Sequence, residues 1–361
     1  MEVEEKTVKK ISVCVIFGGM SPEHDVSLRS AESVLNHLDP NKYNIVPVGI
    51  TKTGDWYIYG GTDYSLLPTG EWVIHPMNRR AAISPVYRQG LLSFEGDCVG
   101  RERLDVVFPV LHGENGEDGA MQGLLQLAGI PYVGPHVSAS AVSMDKTLTK
   151  LVIDSASIRQ AKWHLVRSFE LNSRMDRILD QIEGKFQYPV FVKPAGTGSS
   201  VGVSKASDRA KLEQALLEAG KFDEKILVEE FIHGREIEVA VMGNRNPVAS
   251  ICGEIDSGAE FYDYDAKYVT DTSTAYVPAR IPDDVAEQVR ELAVKAYTAL
   301  GCQGLSRVDV FVTYEGDEVV FYEINTLPGF TSISMYPKLF AASGIPYDNL
   351  VDDLLRLAME A

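Results

Sequence analysis

The sequence contains few cysteines, and their arrangement suggests no chemistry. The four are far apart and form no C-x-x-C pair: Cys14, Cys98, Cys252 and Cys302. This spacing favours neither a zinc site nor a disulfide framework. The simplest interpretation is a reduced protein of the cytoplasm, with Cys14 as a small core residue inside an apolar run.

Long apolar runs and an excess of basic residues are also absent. No window approaches the roughly 18–20 uninterrupted apolar residues of a membrane span. The charged run at residues 1–10 has no apolar h-region, so we expect no secretory signal and no membrane partner. Lys and Arg number 34 against 51 Asp and Glu, which gives a formal net charge of −17. Nucleic acid is therefore not expected as the main partner, because phosphate backbones need clustered basic residues.

The length and the patterns of the chain predict several domains. A chain of 361 residues usually holds two or three domains. Strand and helix patterns alternate up to about Gly134, which predicts a first α/β domain on a parallel sheet. Antiparallel strands with helices are expected after it, so the fold class is α/β of the mixed α+β kind. We expect domains at residues 1–134, 135–230 and 231–361. Residues 261–276 show no clear period, which is typical of functional lids.

Two strand patterns flank a turn at residues 314–318. If this hairpin is symmetric about Gly316 and has no bulge, Asp309 lies opposite Glu323. The same register places Arg307 opposite Asn325, and all four side chains project from one face because strands alternate with period two. Opposed carboxylates repel unless a cation lies between them, and Mg²⁺ takes such oxygen ligands and often bridges to phosphate. The arginine keeps its charge and suits an anionic intermediate. The alternative is a surface ladder of salt bridges.

A loop of small residues follows the strand pattern that ends at Lys193. Its glycines and serines allow backbone N–H groups to approach phosphate oxygens: Gly196, Gly198, Ser199, Ser200 and Gly202. The loop is not a Walker A motif, because no Gly-Lys-Ser/Thr occurs and a strand follows it. With Lys193 and the hairpin it favours a flap over the phosphates of ATP. An ordinary hairpin explains the loop alone equally well.

Two further segments are candidates for binding the same nucleotide. Lys146 is a second candidate phosphate cation, although a lone helical lysine is usually solvated. Glu229 and Glu230 end a strand just before Phe231 and Ile232. A carboxylate there can accept from an adenine amino group or from ribose hydroxyls, and a solvated strand end is the alternative.

Six motifs extend these patterns over almost the whole chain: Gly18-Gly-x-Ser-x-Glu-His-x-Val-Ser27, Leu111-His-Gly-x-x-Gly-Glu-Asp-Gly119, Met144-Asp-Lys146, Lys193-Pro with Gly198-Ser-Ser-x-Gly202, Tyr262-Asp-Tyr-x-Ala-Lys-Tyr268, and Glu323-x-Asn-Thr-x-Pro-Gly-Phe-Thr-Ser332. Together they resemble the ATP-grasp ligases, and among them the D-alanine–D-alanine ligase family. The resemblance implies an ATP-grasp fold with a Rossmann-like N-terminal domain and two ATP-grasp subdomains. It also implies ATP as co-substrate, two Mg²⁺ or Mn²⁺ ions and a homodimer.

The resemblance also implies a role for each matching residue. Nucleotide-binding positions are matched by Lys146, Lys193, Ser200, Glu229, Glu230, Phe231, Ile232 and Glu236, and metal-ligand positions by Asp309, Glu323 and Asn325. Substrate positions are matched by Glu23 at the ammonium of the first D-alanine, by His112 beside it and by Ser334 at the carboxylate of the second. Arg307 and the backbone of Gly329 match the groups that stabilise the oxyanion. Ser199, Lys267 and Tyr268 match the contacts that close the site.

The implied reaction joins two D-alanines for cell-wall precursor synthesis. ATP converts the first carboxylate into an acyl phosphate, and the amine of the second D-alanine attacks the acyl carbon. Two segments depart from many relatives: Thr331-Ser-Ile-Ser334 lacks a histidine, and Pro194-Ala-Gly-Thr-Gly198 lacks charged residues. Neither removes a motif residue that the chemistry needs.

Three alternatives remain open. D-serine or D-lactate replaces the second D-alanine in resistance-type relatives, and Tyr268 favours D-alanine over D-lactate. A regulatory protein on a dead ligase scaffold would lack a metal ligand or Arg307, and none is missing. An NAD-dependent enzyme, from Gly18-Gly19 after the first strand, lacks the G-x-G-x-x-G spacing.

Overall fold

The computed structural model describes residues 9–198, 201–256 and 274–360. Three sheets follow one another along the described chain, with seven, four and five strands. Helices lie between and against them, so the mixed α/β class predicted from the sequence is confirmed.

The first sheet has the strand order β6-β5-β4-β3-β2-β1-β7. Its strands are β1 Ile11–Gly18, β2 Tyr43–Ile50, β3 Trp56–Ile58, β4 Arg79–Ile83, β5 Leu91–Glu95, β6 Cys98–Glu102 and β7 Val106–Val110. Only the pairs of β1 with β2 and with β7 are parallel, whereas β2 through β6 pair antiparallel. The parallel pairing predicted for the runs that form β1, β2 and β7 is confirmed, and the sequence analysis did not predict the four antiparallel strands β3 to β6. These strands are only three to five residues long, too short to show a clear period.

Three helices and a short 3₁₀ turn accompany this sheet: α1 His24–His37, α2 Leu66–Thr69, the turn Glu71–Ile74 and α3 Ala120–Ala128. Helix α3 begins after Gly119 and ends at Gly129, and both glycines have positive φ. Such backbone favours glycine, so the two residues delimit the helix, and its bounds agree with the helix that the sequence predicts at residues 120–128.

The second sheet has the order β10-β9-β11-β8 and is antiparallel in every pair. It contains β8 Trp163–Arg167, β9 Val190–Pro194, β10 Ser204–Ala206 and β11 Lys225–Glu230, with helices α6 Ser168–Glu183 and α7 Arg209–Ala219. Two helices precede it, α4 Val137–Met144 and α5 Lys146–Ser155. The sequence predicts a single helix there, at residues 138–156. Asp145 interrupts it because its backbone is extended and its side chain caps the N–H groups of Thr147 and Leu148.

The third sheet has the order β14-β13-β12-β15-β16, again antiparallel. Its strands are β12 Gly234–Met242, β13 Val248–Asp256, β14 Thr274–Tyr276, β15 Leu305–Thr313 and β16 Val319–Asn325, and its helices are α8 Asp283–Ala299, α9 Met335–Ala342 and α10 Tyr347–Glu360. The last residues of the predicted lid, 274–276, form β14. Residues 261–273 of that prediction lie outside the described ranges.

The apolar cores connect these layers. Val13, Val15 and Phe17 face one side of the first sheet and pack in a core that also contains residues of α1, α9 and α10. Cys14 and Ile16 face the other side, in the core that includes α3. The C-terminal helices thus pack directly on the first sheet, which brings the loop after β16 against β7. None of the helices within the described ranges is long and apolar enough to cross a membrane.

Candidate active site

The hairpin of β15 and β16 carries the predicted pairs. Arg307 lies opposite Asn325, and Asp309 lies opposite Glu323. The register then shifts by one residue between Asp309 and Val310. The prediction of an unbulged hairpin is therefore wrong, but the shift lies on the turn side of both pairs. All four side chains consequently share one face of the sheet.

Asp309 is fully buried at the centre of this face. Its two carboxylate oxygens accept hydrogen bonds from Nε and Nη2 of Arg307, both at 2.7 Å. The Asn325 side-chain amide also donates to Asp309, at 3.0 Å. The bidentate pair fixes the plane of the guanidinium.

A third carboxylate, Glu238 on β12, extends the row across three strands. It lies opposite Asp309 in the sheet, and its Oε2 is 3.3 Å from Nε of Arg307. Burial alone would lower the pKa of Arg307, but Asp309 and Glu238 raise it well above its ordinary value. The arginine therefore keeps its charge here.

The oxygen donors of Asp309, Glu323 and Asn325 suit a hard cation. Within residues 9–198, 201–256 and 274–360, no group of three or more His, Cys, Asp and Glu side chains is arranged to hold a metal ion. The predicted set contains two carboxylates and one amide, so an ion bound there would also need oxygens from a ligand such as a phosphate.

A small cavity adjoins the hairpin face and contains three lysines. It is lined by Ser143, Lys146, Thr149, Lys150, Lys193, Leu227, Glu229, Tyr322, Glu323 and Ile324. Glu229 forms ion pairs with Lys150 and, at 2.5 Å, with Lys193. Burial alone would raise the pKa of Glu229, but the two lysines lower it to about 2. The carboxylate is thus ionised and holds two lysine side chains beside Glu323. Burial lowers the pKa of Lys150, against the opposing effect of Glu229.

The bulge in the hairpin also shapes this cavity. Tyr322 and Glu323 are adjacent in sequence, yet both line it. The bulge allows this because it interrupts the alternation of the strand. The Tyr322 ring lies under Lys193, whose Nζ is 4.4 Å from the ring centroid.

The remaining nucleotide-binding candidates surround the cavity. Lys146 is the first residue of α5, and its Nζ donates to the backbone oxygen of Thr197 in the glycine-rich loop, at 2.5 Å. Glu230 accepts from the Lys162 N–H at 2.8 Å. Phe231 and Ile232 connect β11 to β12, which begins two residues before Glu236.

The predicted substrate residues Glu23 and His112 lie in the loops that follow β1 and β7. The Glu23 carboxylate lies against both Gly113 and Gly198, since a Cβ atom built on these glycines would be 2.4 Å and 3.2 Å from its Oε2. His112 is buried and hydrogen-bonds through Nδ1 to the backbone oxygen of Leu327, at 2.9 Å.

Gly329 and Ser334 lie in the segment that follows β16. A Cβ atom on Gly329 would be 2.9 Å from the Ser334 Oγ. That Oγ accepts from the Thr331 N–H at 3.0 Å, just before the start of α9. The Gly329 N–H has no hydrogen-bond partner in the part of the chain that the structure describes.

The structure thus places most of the predicted residues on the β15–β16 hairpin, around the lysine cavity and in the loops after β1, β7 and β16. Four of them, Ser199, Ser200, Lys267 and Tyr268, lie outside the described residues. The sequence prediction assigned no role to Lys150, Glu238 or Tyr322. Polar residues at alternate positions of an apolar strand, as at Glu236 and Glu238, are the signal that could have identified one of them.

Solved structures share this architecture. A D-Ala:D-Ser ligase, VanG from Enterococcus faecalis, is 37% identical with a TM-score of 0.89, covering 97% of this chain and 100% of that one. The D-alanine–D-alanine ligase from Coxiella burnetii is 35% identical with a TM-score of 0.83, covering 98% of this chain and 95% of that one. The fold is the ATP-grasp fold, and the chain is an ATP-dependent ligase.

Family models for the D-ala D-ala ligase N-terminus and C-terminus match residues 12–135 and 152–356. The chain belongs to the D-alanine–D-alanine ligase family. A relative of that name from Acetivibrio thermocellus is 49% identical over 97% of this chain and 96% of its own length. Another, from Ruminiclostridium cellulolyticum, is 48% identical over 98% of this chain and 96% of its own length. The family membership implies ATP and other small molecules as substrates.

Proposed function

We propose that this protein joins two D-alanines into D-alanyl-D-alanine for peptidoglycan precursors, with release of ADP and phosphate. One observation carries the proposal. The hairpin face of Arg307, Asp309, Glu323 and Asn325 adjoins a lysine cavity, which Glu323 lines, and the Leu327–Phe330 segment directly follows β16 in the chain. A single face thus connects a site for phosphates with a site for acyl chemistry.

The first step is phosphoryl transfer to a carboxylate of D-alanine. A carboxylate oxygen of D-alanine attacks the γ-phosphorus, the bond from phosphorus to the bridging oxygen breaks, and ADP leaves with that oxygen. Lys146 and Lys193 offset the charge of the phosphates. Glu229 holds Lys193 and Lys150 in place for this purpose, since both cations share its carboxylate.

We further propose that Asp309, Glu323 and Asn325 hold Mg²⁺ or Mn²⁺, as two ions. The donor set is all oxygen, and a magnesium site of this kind usually combines one or two carboxylates with substrate phosphates. When bound, the metal offsets phosphate charge. Glu323 supports this role because it lines the same cavity as Lys193.

The second step is acyl transfer. The amine of the second D-alanine attacks the acyl carbon and a tetrahedral oxyanion forms. The nitrogen then gives up a proton and phosphate leaves, which completes the amide. Arg307 and the Gly329 N–H stabilise the oxyanion. Glu23 holds the ammonium of the first D-alanine, and Ser334, beside Gly329, contacts the carboxylate of the second. Ser199, Ser200, Lys267 and Tyr268 are proposed from the motifs alone.

Phosphate release tests the function. With ATP and Mg²⁺, D-alanine alone should support steady release of phosphate, matched one to one by D-alanyl-D-alanine in mass spectrometry. No release with any D-amino acid, despite measurable ATP binding, would contradict the proposal and favour a regulatory ATP-binding protein.

A D-alanine–D-serine ligase is the second candidate, because the chain is similar to a D-Ala:D-Ser ligase with a TM-score of 0.89. Adding D-serine or D-lactate to the assay with D-alanine discriminates the candidates. If D-alanyl-D-serine is the main product at equal D-alanine and D-serine, the second candidate replaces the first. D-alanyl-D-lactate, an ester, as the main product would indicate a D-alanine–D-lactate ligase.

We also propose a homodimer in the cytoplasm with domains at residues 1–134, 135–230 and 231–361. Tyr87 and Leu127 are exposed by 63% and 68%. The Arg88 N–H donates to the Ala128 oxygen at 2.7 Å. The neighbouring residues Tyr87 and Leu127 therefore belong to one surface. Apolar side chains exposed together favour a contact surface. Light scattering after size exclusion tests the dimer, and a monomer at micromolar concentration would contradict it.

A further inference from the structure

Four backbone groups on either side of Pro328-Gly329 are held by side chains from other parts of the chain. The Leu327 N–H donates to Oε1 of Glu117 at 2.9 Å, and the Leu327 oxygen accepts from Nδ1 of His112 at 2.9 Å. The Phe330 N–H donates to Oγ of Ser30 at 3.2 Å. The Phe330 oxygen accepts from the hydroxyl of Tyr347.

Three of these four partners come from the first 134 residues. Ser30 belongs to α1, and His112 and Glu117 belong to the loop after β7. His112 is 215 residues from Leu327 in sequence. The loop that carries Gly329 therefore takes its position from a distant part of the chain.

Ser30 and His112 form a continuous chain of hydrogen bonds. The Oγ of Ser30 lies 3.0 Å from Nε2 of His112. Because this Oγ accepts from the Phe330 N–H, its own hydrogen is available for Nε2. Nδ1 then carries the ring hydrogen and donates it in the hydrogen bond to the Leu327 backbone oxygen. Burial lowers the pKa of His112, against an opposing effect of Glu23, and so favours the neutral ring that this arrangement needs.

Glu117 uses both oxygens of its carboxyl group. Oε2 accepts from the Gly113 N–H at 2.8 Å, and Oε1 accepts from the Leu327 N–H. Glu117 thus ties the loop after β7 to the loop after β16. An isosteric glutamine cannot reproduce this, because one of its two ends would present N–H hydrogens to a backbone N–H.

We propose that Ser30, His112 and Glu117 act as a clamp that fixes the Leu327–Phe330 loop and aims the Gly329 N–H at the oxyanion of the acyl-transfer step. The clamp rests on the proposed function. Loss of one oxyanion donor typically slows a reaction about 10²–10³-fold, and a donor must be held in place before the reaction to be effective. The three residues are positioning residues, and the acyl-transfer step is the step that they control.

Positional isotope exchange separates the two steps. In ATP labelled with ¹⁸O at the β,γ-bridge, the label scrambles only when the acyl phosphate forms and reverts to ATP. Slower acyl transfer lets more acyl phosphate revert. In Glu117→Gln we expect dipeptide formation to fall about 10–100-fold, while the ratio of exchange to dipeptide formation rises at least about tenfold. Glu114→Gln, in the same loop but exposed, is the matched control and should leave the ratio unchanged.

An equal fall of exchange and dipeptide formation in a folded Glu117→Gln variant would overturn the clamp, because it would indicate general damage to the site. Unchanged rates would overturn it as well. In either case wild-type turnover on D-alanine would leave the proposed function standing. A wild type with no D-alanine-dependent phosphate release would instead remove the proposed function itself.

Two variants of His112 keep the clamp testable where Glu117→Gln does not fold. The amide nitrogen of asparagine falls near Nδ1 of histidine, and the amide end of glutamine falls near Nε2. His112→Asn can therefore still donate to Leu327, whereas His112→Gln cannot. We expect His112→Asn to form dipeptide at least about fivefold faster than His112→Gln, a difference of about 1 kcal/mol in activation free energy. Equal rates, or a faster His112→Gln, would contradict the assigned contact.

Discussion

Lys150 and Glu229 form an ion pair whose side chains are only 3% and 5% exposed. Lys193 shares the same carboxylate from the other side. One buried anion therefore contacts two lysine side chains in a cavity next to the β15–β16 hairpin.

Loss of Glu229 should destabilise the fold more than loss of Lys150. Glu229→Gln leaves two lysines facing each other in a buried site, and an unpaired buried charge costs about 3–5 kcal/mol. Lys150→Met leaves the pair of Glu229 with Lys193 intact and should cost less than half of that. Urea unfolding measures both values. Glu218→Gln, in an exposed pair with Lys221, is the control and should cost no more than about 0.5 kcal/mol. A larger cost for Lys150→Met than for Glu229→Gln would contradict the shared pairing.

Glu229 should also make stability depend on acid pH. Its pKa of about 2 lies below the ordinary value of 4.5, so the unfolded chain binds this proton at a higher pH than the folded chain. The stability that the ionised carboxylate contributes is complete above about pH 4.5 and is lost as the pH falls towards about 2. Urea unfolding at several pH values between about 6 and 3 should show a steeper loss in the wild type than in Glu229→Gln. Parallel curves would indicate that the lysines do not lower this pKa.

Glu323→Gln should abolish turnover with little effect on folding. The change removes one anionic ligand from the proposed metal site but preserves the shape of a side chain that faces a cavity. Even residues that only support a metal ligand cost about 10–100-fold when changed, so we expect a loss of more than about 100-fold in kcat. Glu315→Gln in the exposed turn of the same hairpin is the control. Near-normal turnover of Glu323→Gln would remove Glu323 from the metal site.

The Tyr322 ring should contribute to nucleotide binding through Lys193. Tyr322→Leu removes a cation–π contact that is typically worth about 0.5–2 kcal/mol. We therefore expect the KM for ATP to rise about 2–30-fold. Tyr322→Phe keeps the ring under the ammonium, so its effect should be much smaller. Equal KM values for the two variants would show that the hydroxyl, or packing alone, accounts for the role of Tyr322.

Much of the architecture could be predicted from local sequence. Strand β2 and helix α3 have the bounds that the sequence predicts, residues 43–50 and 120–128, because an apolar β-branched run and a pair of flanking glycines are strong local signals. The opposed pairs of the β15–β16 hairpin were also predicted correctly, since a short turn limits the possible registers. The bulge was missed because no local pattern distinguishes a strand with one extra residue.

The sequence by itself determined the family, through motifs whose residue types and spacing suit phosphate, metal and carboxylate chemistry. Only the tertiary structure decided which of these residues touch each other. Glu229 was predicted at a nucleotide contact and lies between two lysines, and His112 was predicted beside a substrate and holds the Leu327 backbone. The reason is that such contacts join residues far apart in the chain. Periodicity and motif spacing describe neighbours along the chain. Packing of the first sheet against the C-terminal helices determines which side chains from distant segments come into contact.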